Sequence, residues 1–219
     1  MGKKAILLGA SGAIGSSLLQ QLLNDSNYTE VLALVRKDLN LEHPKLKQLV
    51  LNFDELSKYA AEITGDVVFC CLGTTKSQTP DQTQYRKIDY QYPLDVAWIA
   101  QTNGAESYHL ISSIGANKNS SVFYPRTKGE VESDLKAVPF QSIHIYRPSL
   151  LEGERKNPRL IENISIAVMH VINPLLSGSW KKYRSIKVSA VAKAMVRQSL
   201  TTQREIFIYE SDQIQKLSE

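Results

Sequence analysis

Short apolar runs alternate along this chain with longer stretches whose apolar residues recur every three or four positions. The runs fall at 5–8, 31–35, 48–51, 66–72, 107–111, 141–146 and 205–210. Such runs, bounded by turn residues, predict strands covered on both faces, as in a parallel sheet. The intervening periodic stretches predict helices over 16–23, 85–102, 122–137 and 190–200. Pro93 falls near a start or kink of the second, Asn103-Gly104 closes it, and Pro125 is tolerated in the first turn of the third. Asp54 or Ser57, Ser120 or Ser121, and Ser189 are the expected N-caps. The longest region without a strand pattern is 152–186, where one helix is expected near 159–172. Strands alternating with helices predict an α/β, Rossmann-type doubly wound parallel sheet. Nothing Pro-, Gly- or Ser-rich divides it. Residues 1–219 are therefore read as one domain with a small C-terminal substrate-side region, 152–186, inserted in it.

The first run leads into glycines at spacing three, Gly9, Gly12 and Gly15, and then into a helix. A glycine turn opening a helix offers free N–H groups and a positive dipole end, which suits a pyrophosphate. The spacing is GxxGxxG rather than GxGxxG. The second run ends in Arg36, where an Asp or Glu would bind the ribose hydroxyls of NAD. A guanidinium instead pairs with a 2′-phosphate, so Arg36 indicates NADP; the alternative is an ordinary surface arginine. Asn52 and Phe53 follow the third run, either edging the adenine or forming a turn and a core contact. The fourth run ends in Gly73-Thr74-Thr75, where glycine admits a close ligand and two hydroxyls can reach ribose or phosphate.

The fifth run delivers Ser112-Ser113 to the same edge of the sheet. Tyr124 and Lys128 then lie four apart on one helix face. An ammonium near a phenol stabilises the phenolate, which tunes the tyrosine as acid or base for carbonyl chemistry. Either serine could hold the substrate oxygen.

These residues together resemble the short-chain dehydrogenase/reductases of the compact atypical kind, in the NADPH-binding Tat-interacting oxidoreductase branch. The strings carrying the resemblance are Gly9 to Gly15, Phe69-Cys70-Cys71-Leu72-Gly73-Thr74-Thr75, Ser112-Ser113 with Gly115-Ala116, Tyr124 with Lys128-Gly129-Glu130-Val131-Glu132, and Arg147-Pro148 with Leu150-Leu151. The resemblance implies that the glycine loop, with Ser11, Ala13 and Ile14, holds the pyrophosphate. It implies that Leu72 and Gly73 line the cofactor, that Lys128 binds the nicotinamide ribose, and that Tyr124 is the acid/base. Leu151 would lie near the nicotinamide, and Arg159 would help cover the cofactor. Asp89 departs from the pattern, standing where many relatives carry an asparagine. The expected function is an NADP(H)-dependent oxidoreductase acting on a small carbonyl or its alcohol. The alternative is an NADP(H)-binding redox-sensing regulator with little turnover.

Composition adds bounds. A net charge of +4 permits an anionic ligand without indicating nucleic acid, and 42% hydrophobic residues support a full core. No metal site, nucleic-acid partner or membrane association is expected. The only cysteines, Cys70 and Cys71, are adjacent and ill-suited to a disulfide, and no leader is read in the first residues. Those two observations give the expectation of a cytoplasmic protein. A homodimer through the helices flanking the fifth strand, or a protein partner, is left open.

Overall fold

The computed structural model describes residues 2–153, 176 and 178–219. Seven parallel strands form one sheet in the order β3-β2-β1-β4-β5-β6-β9. They are β1 (Lys3–Leu8), β2 (Tyr28–Val35), β3 (Leu46–Val50), β4 (Val67–Cys70), β5 (Ser107–Ile111), β6 (Ser142–Arg147) and β9 (Ile206–Glu210). Two short strands, β7 (Leu151–Glu152) and β8 (Ile186–Lys187), pair beside it. Among the described residues the helices are α1 (Ala13–Asn24), α2 (Gln82–Arg86), α3 (Tyr92–Thr102), α4 (Phe123–Leu135), α5 (Val188–Ser199) and α6 (Ser211–Ser218), with 3-10 segments at Phe53–Glu62 and Gly178–Tyr183. The order reverses between β1 and β4, which opens a crevice at the carboxyl ends of the strands.

β1 shows why the apolar runs are unbroken. Ala5 and Leu7 join the apolar layer under α1 and α5, with Leu18, Leu22, Val191 and Met195. Ile6 and Leu8 point the other way, towards Leu56, Val96, Ala97 and Val131. A strand covered on both faces needs apolar residues at every position. One rung crosses four strands with aromatic rings: Phe69, His109, His144 and Phe207 are in register. The rings of His109 and His144 stack at 4.4 Å.

The expected helix over 85–102 is interrupted. Between α2 and α3 lies a π-helical turn, Lys87–Gln91, in which the Tyr92 N–H reaches the Lys87 carbonyl five residues back. Pro93 follows immediately and has no N–H with which to continue the ladder. Gly104, at φ +95°, closes α3 as expected. The caps differ from expectation. Asn52, not Asp54 or Ser57, caps the 3-10 segment by accepting from the Asp54 N–H. α4 begins after Val122 and α5 after Lys187, neither with a side-chain cap. Ser120 instead accepts the Val122 N–H in the preceding turn. The expected helix near 159–172 lies outside the described residues.

Candidate cofactor cleft and active site

Along the carboxyl edge of the sheet runs a cleft of about 1810 Å³. The turn after β1 forms its floor. Gly9 has φ +79°, and a Cβ there would stand 2.5 Å from the Cys71 carbonyl oxygen. A Cβ on Gly15 would lie 2.0 Å from the Gly9 oxygen. Both positions therefore require glycine: Gly9 for its backbone and Gly15 for the close approach of α1 to the turn. Gly15 is buried and is not among the residues lining the cleft, so its role is packing rather than ligand contact. Gly9, Ser11, Gly12, Ala13 and Ile14 do line it. Gly12 stands at the N-cap of α1 without a side-chain capping bond. That leaves a helix N-terminus facing the cleft for an anionic group. The cradle thus fits a dinucleotide pyrophosphate.

Arg36 lines the cleft beyond this turn and is exposed, with no hydrogen bond or ion pair among the described residues. Asn52 and Phe53 also line it. Much of each is spent on the fold, however. Asn52 Oδ1 caps the 3-10 segment, and Phe53 packs at 5.3 Å on Tyr92 and is buried. Leu72, Gly73 and Thr74 line the opposite wall. The hydroxyl of Thr74 bonds that of Thr79 at 2.8 Å, and Thr75 bonds Ser77 and Gln78. The two hydroxyls expected to face ribose or phosphate are thus engaged within their own loop.

At the far end Tyr124 and Lys128 rise from the first turns of α4. Tyr124 is 41% exposed, whereas Lys128 is buried. The Lys128 Nζ lies 2.8 Å from Asp89 Oδ1, an ion pair in contact with side-chain exposures of 5% and 0%. The other Asp89 oxygen accepts the Thr74 N–H at 2.8 Å. Burial pulls the Lys128 ammonium downward. Asp89 and the nearby Tyr124 more than offset this and hold it above the usual lysine range. Gly129 is dictated by packing: a Cβ there would lie 2.1 Å from the Lys118 backbone nitrogen, in the loop that crosses α4.

The two serines separate cleanly. Ser112 Oγ donates to Glu132 Oε1 at 2.5 Å. Glu132 is buried and takes a two-point contact from Arg147, with Nε on Oε1 at 2.9 Å and the second nitrogen on Oε2 at 2.5 Å. Ser112 is therefore committed to a structural network. Ser113 also lines the cleft, and its Oγ is buried with no partner among the described residues. Nothing in the sequence around Glu132 or Arg147 signals their pairing, because it joins α4 to the end of β6. Leu151, on β7, lines the cleft beside Pro148, Ser149 and Glu152. Arg159 lies outside the described residues. Burial pushes the Cys70 and Cys71 thiols up, away from nucleophilic thiolate character. No group of residues suited to a metal ion occurs among the described residues.

A parallel sheet of this order with a glycine turn and helix N-terminus at its switch point defines a Rossmann-type dinucleotide-binding protein. The chain belongs to the NAD(P)H-binding family, whose model matches residues 9–156. It is 32% identical over 198 residues to Protein HTATIP2 of Rattus norvegicus, covering 89% of this chain and 80% of that one. It is 31% identical over 201 residues to the protein fmp52, mitochondrial, of Aspergillus niger, covering 87% and 86%. Among solved structures, the Bordetella bronchiseptica enzyme WbmH in complex with NAD+ superposes with a TM-score of 0.73 at 14% identity. That match covers 100% of this chain and 80% of the other. These findings bear out the resemblance to atypical short-chain dehydrogenase/reductases. They overturn the cytoplasmic expectation, because fungal relatives of this chain are named mitochondrial. Cys70 is buried and Cys71 is only half-buried on the cleft wall, and two adjacent cysteines without a disulfide are compatible with any reducing compartment, so they carry no information about location. No helix among the described residues is long and apolar enough to cross a membrane.

Proposed function

We propose that this protein is an NADP(H)-dependent oxidoreductase that reduces a small carbonyl or oxidises the corresponding alcohol. The observation that carries the reading is that Tyr124, Lys128 and the unpartnered Ser113 hydroxyl share one cleft with the glycine turn. NADP(H), when bound, supplies or accepts the hydride. The chain's residues handle the rest. Ser113 Oγ–H holds the substrate oxygen, and the Tyr124 phenol gives that oxygen a proton in reduction, while its phenolate takes the alcohol proton in oxidation. The Lys128 ammonium stabilises the phenolate left behind. Exposure of Tyr124 lets substrate reach the phenol.

Arg36 supports NADP over NAD. Its guanidinium has no carboxylate to satisfy among the described residues and stands at the end of β2, where the adenosine ribose belongs in this fold. NADPH should bind at least tenfold more tightly than NADH, and Arg36→Ala should abolish the difference while leaving NADH affinity unchanged. Equal affinities in the parent would defeat the 2′-phosphate assignment. A broad carbonyl panel with NADPH tests the chemistry. Bound cofactor with no turnover of any carbonyl would favour the redox-sensing regulator instead.

A further inference from the structure

We propose that Asp89 is a positioning residue that keeps the buried Lys128 ammonium charged and ties it to the turn lining the cofactor cleft. The inference rests on the Tyr124–Lys128 site proposed above and adds a residue to it. The groups that act on Lys128 come from every neighbouring element. They are Asp89 from the π-helical turn, Cys70 at the end of β4 and Cys71 just after it, Tyr85 from α2, and Tyr124 one turn earlier on α4. Burial pushes the two thiols and the Tyr85 phenol up, so all three are neutral near pH 7. The next carboxylate along α4, Glu130, is paired with Arg86. Compensation of the ammonium therefore falls to Asp89, at 2.8 Å.

A lysine buried without such a partner sheds its proton readily, with values as low as about 5–6 on record. A neutral amine would no longer stabilise the Tyr124 phenolate. The second Asp89 oxygen makes the contact directional. It accepts the Thr74 N–H, and Thr74 is further fixed by Tyr85, whose hydroxyl donates to the Thr74 carbonyl at 3.0 Å. One carboxylate thus sets both the charge of Lys128 and the position of the Gly73-Thr74 wall. The widened turn Lys87–Gln91 carries it, and such turns are frequent at functional sites.

Asp89→Asn separates the two roles, because the amide oxygen can still accept the Thr74 N–H but cannot compensate charge. The test uses full-length, NADPH-loaded protein labelled with [ε-13C]lysine, with the Lys128 resonance assigned by its loss in Lys128→Arg. In the parent, Lys128 should show no titration below pH 10. In Asp89→Asn it should titrate at least two pH units lower than in the parent, and Asp89→Glu should restore part of the shift. Turnover by Asp89→Asn should fall further behind the parent as pH rises, by roughly tenfold between pH 6 and 8.5. A deficit independent of pH would mark a merely structural role. A Lys128 that titrates alike in parent and Asp89→Asn overturns the proposal. If Asp89→Asn does not fold, a parent Lys128 that titrates below pH 10 overturns it alone. A parent without carbonyl turnover, but with Lys128 behaving as stated, refutes the oxidoreductase reading and supports the Asp89 assignment.

Discussion

Lowering the pH from 7.5 to 4 should weaken this fold through the histidine pair on the aromatic rung. His109 and His144 are 0% and 1% exposed. Each uses one ring nitrogen on a tyrosine hydroxyl, Tyr146 and Tyr209 respectively, at 3.1 Å. Burial lowers His144 from 6.5 to about 4, and burial together with the neighbouring His144 holds His109 well below the usual histidine range. The unfolded chain takes up its proton near 6.5, whereas the folded chain resists until about 4. Within that window the unfolded state binds more protons, so stability is full above pH 6.5 and declines as pH falls. A difference of between two and three pH units, at about 1.4 kcal/mol each, gives about 3 kcal/mol from His144, complete below pH 4. That is a large share of a typical total of about 5–15 kcal/mol. His144→Phe places a second flat ring against Phe207 and removes the titration. Tyr209, left without its histidine, keeps Gln198 as a hydrogen-bond partner at 3.3 Å. Urea unfolding of both proteins at pH 7.5, 6, 5 and 4 provides the assay. The stability of His144→Phe relative to the parent should improve by about 3 kcal/mol from the highest pH to the lowest. A constant difference across the series would refute the argument.

Further substitutions probe the frame of the cleft. Gly15→Ala should lower the melting temperature and weaken NADPH binding by more than tenfold, because the added Cβ meets the Gly9 oxygen at 2.0 Å. An unchanged melt and affinity would mean that the turn yields freely. Glu132→Gln should destabilise the fold by about 3–5 kcal/mol in chemical unfolding, since it leaves Arg147 half-buried without its charge partner. Ser112→Ala should reduce stability while sparing turnover, and Ser113→Ala should do the reverse. Matching effects from the two serines would erase the distinction drawn between them.

Much of the fold was legible because burial on both faces leaves a simple mark: runs such as Ala5 to Leu8 have no polar position to confuse them. The glycine turn was legible for a related reason, since Gly9 and Gly15 answer to local sterics. Caps were less so. Asn52 outcompeted Asp54 by a shift of two residues, and α4 and α5 begin without any side-chain cap, which no residue pattern announces. α6 was missed although Glu210 and Gln213 form a reciprocal capping box with Ile214 and Leu217 behind it, a signal present in the chain. The roles of Asp89 and Glu132 were not readable, because each depends on partners brought from other elements. Asp89 meets Lys128 across 39 positions, from a π-helical turn ahead of Pro93 that the residue pattern does not announce. Likewise, Ser112 and Ser113 are equivalent in sequence and differ only once Glu132 claims one of them.

Carbonyl-dependent oxidation of bound NADPH, followed by absorbance in parent and Tyr124→Phe, addresses the central claim most directly. The parent should turn over at least one small carbonyl. Tyr124→Phe should lose about 10²–10⁴ in rate while NADPH affinity stays within a few-fold of the parent. An undiminished rate in Tyr124→Phe would contradict the assignment of the phenol as acid/base.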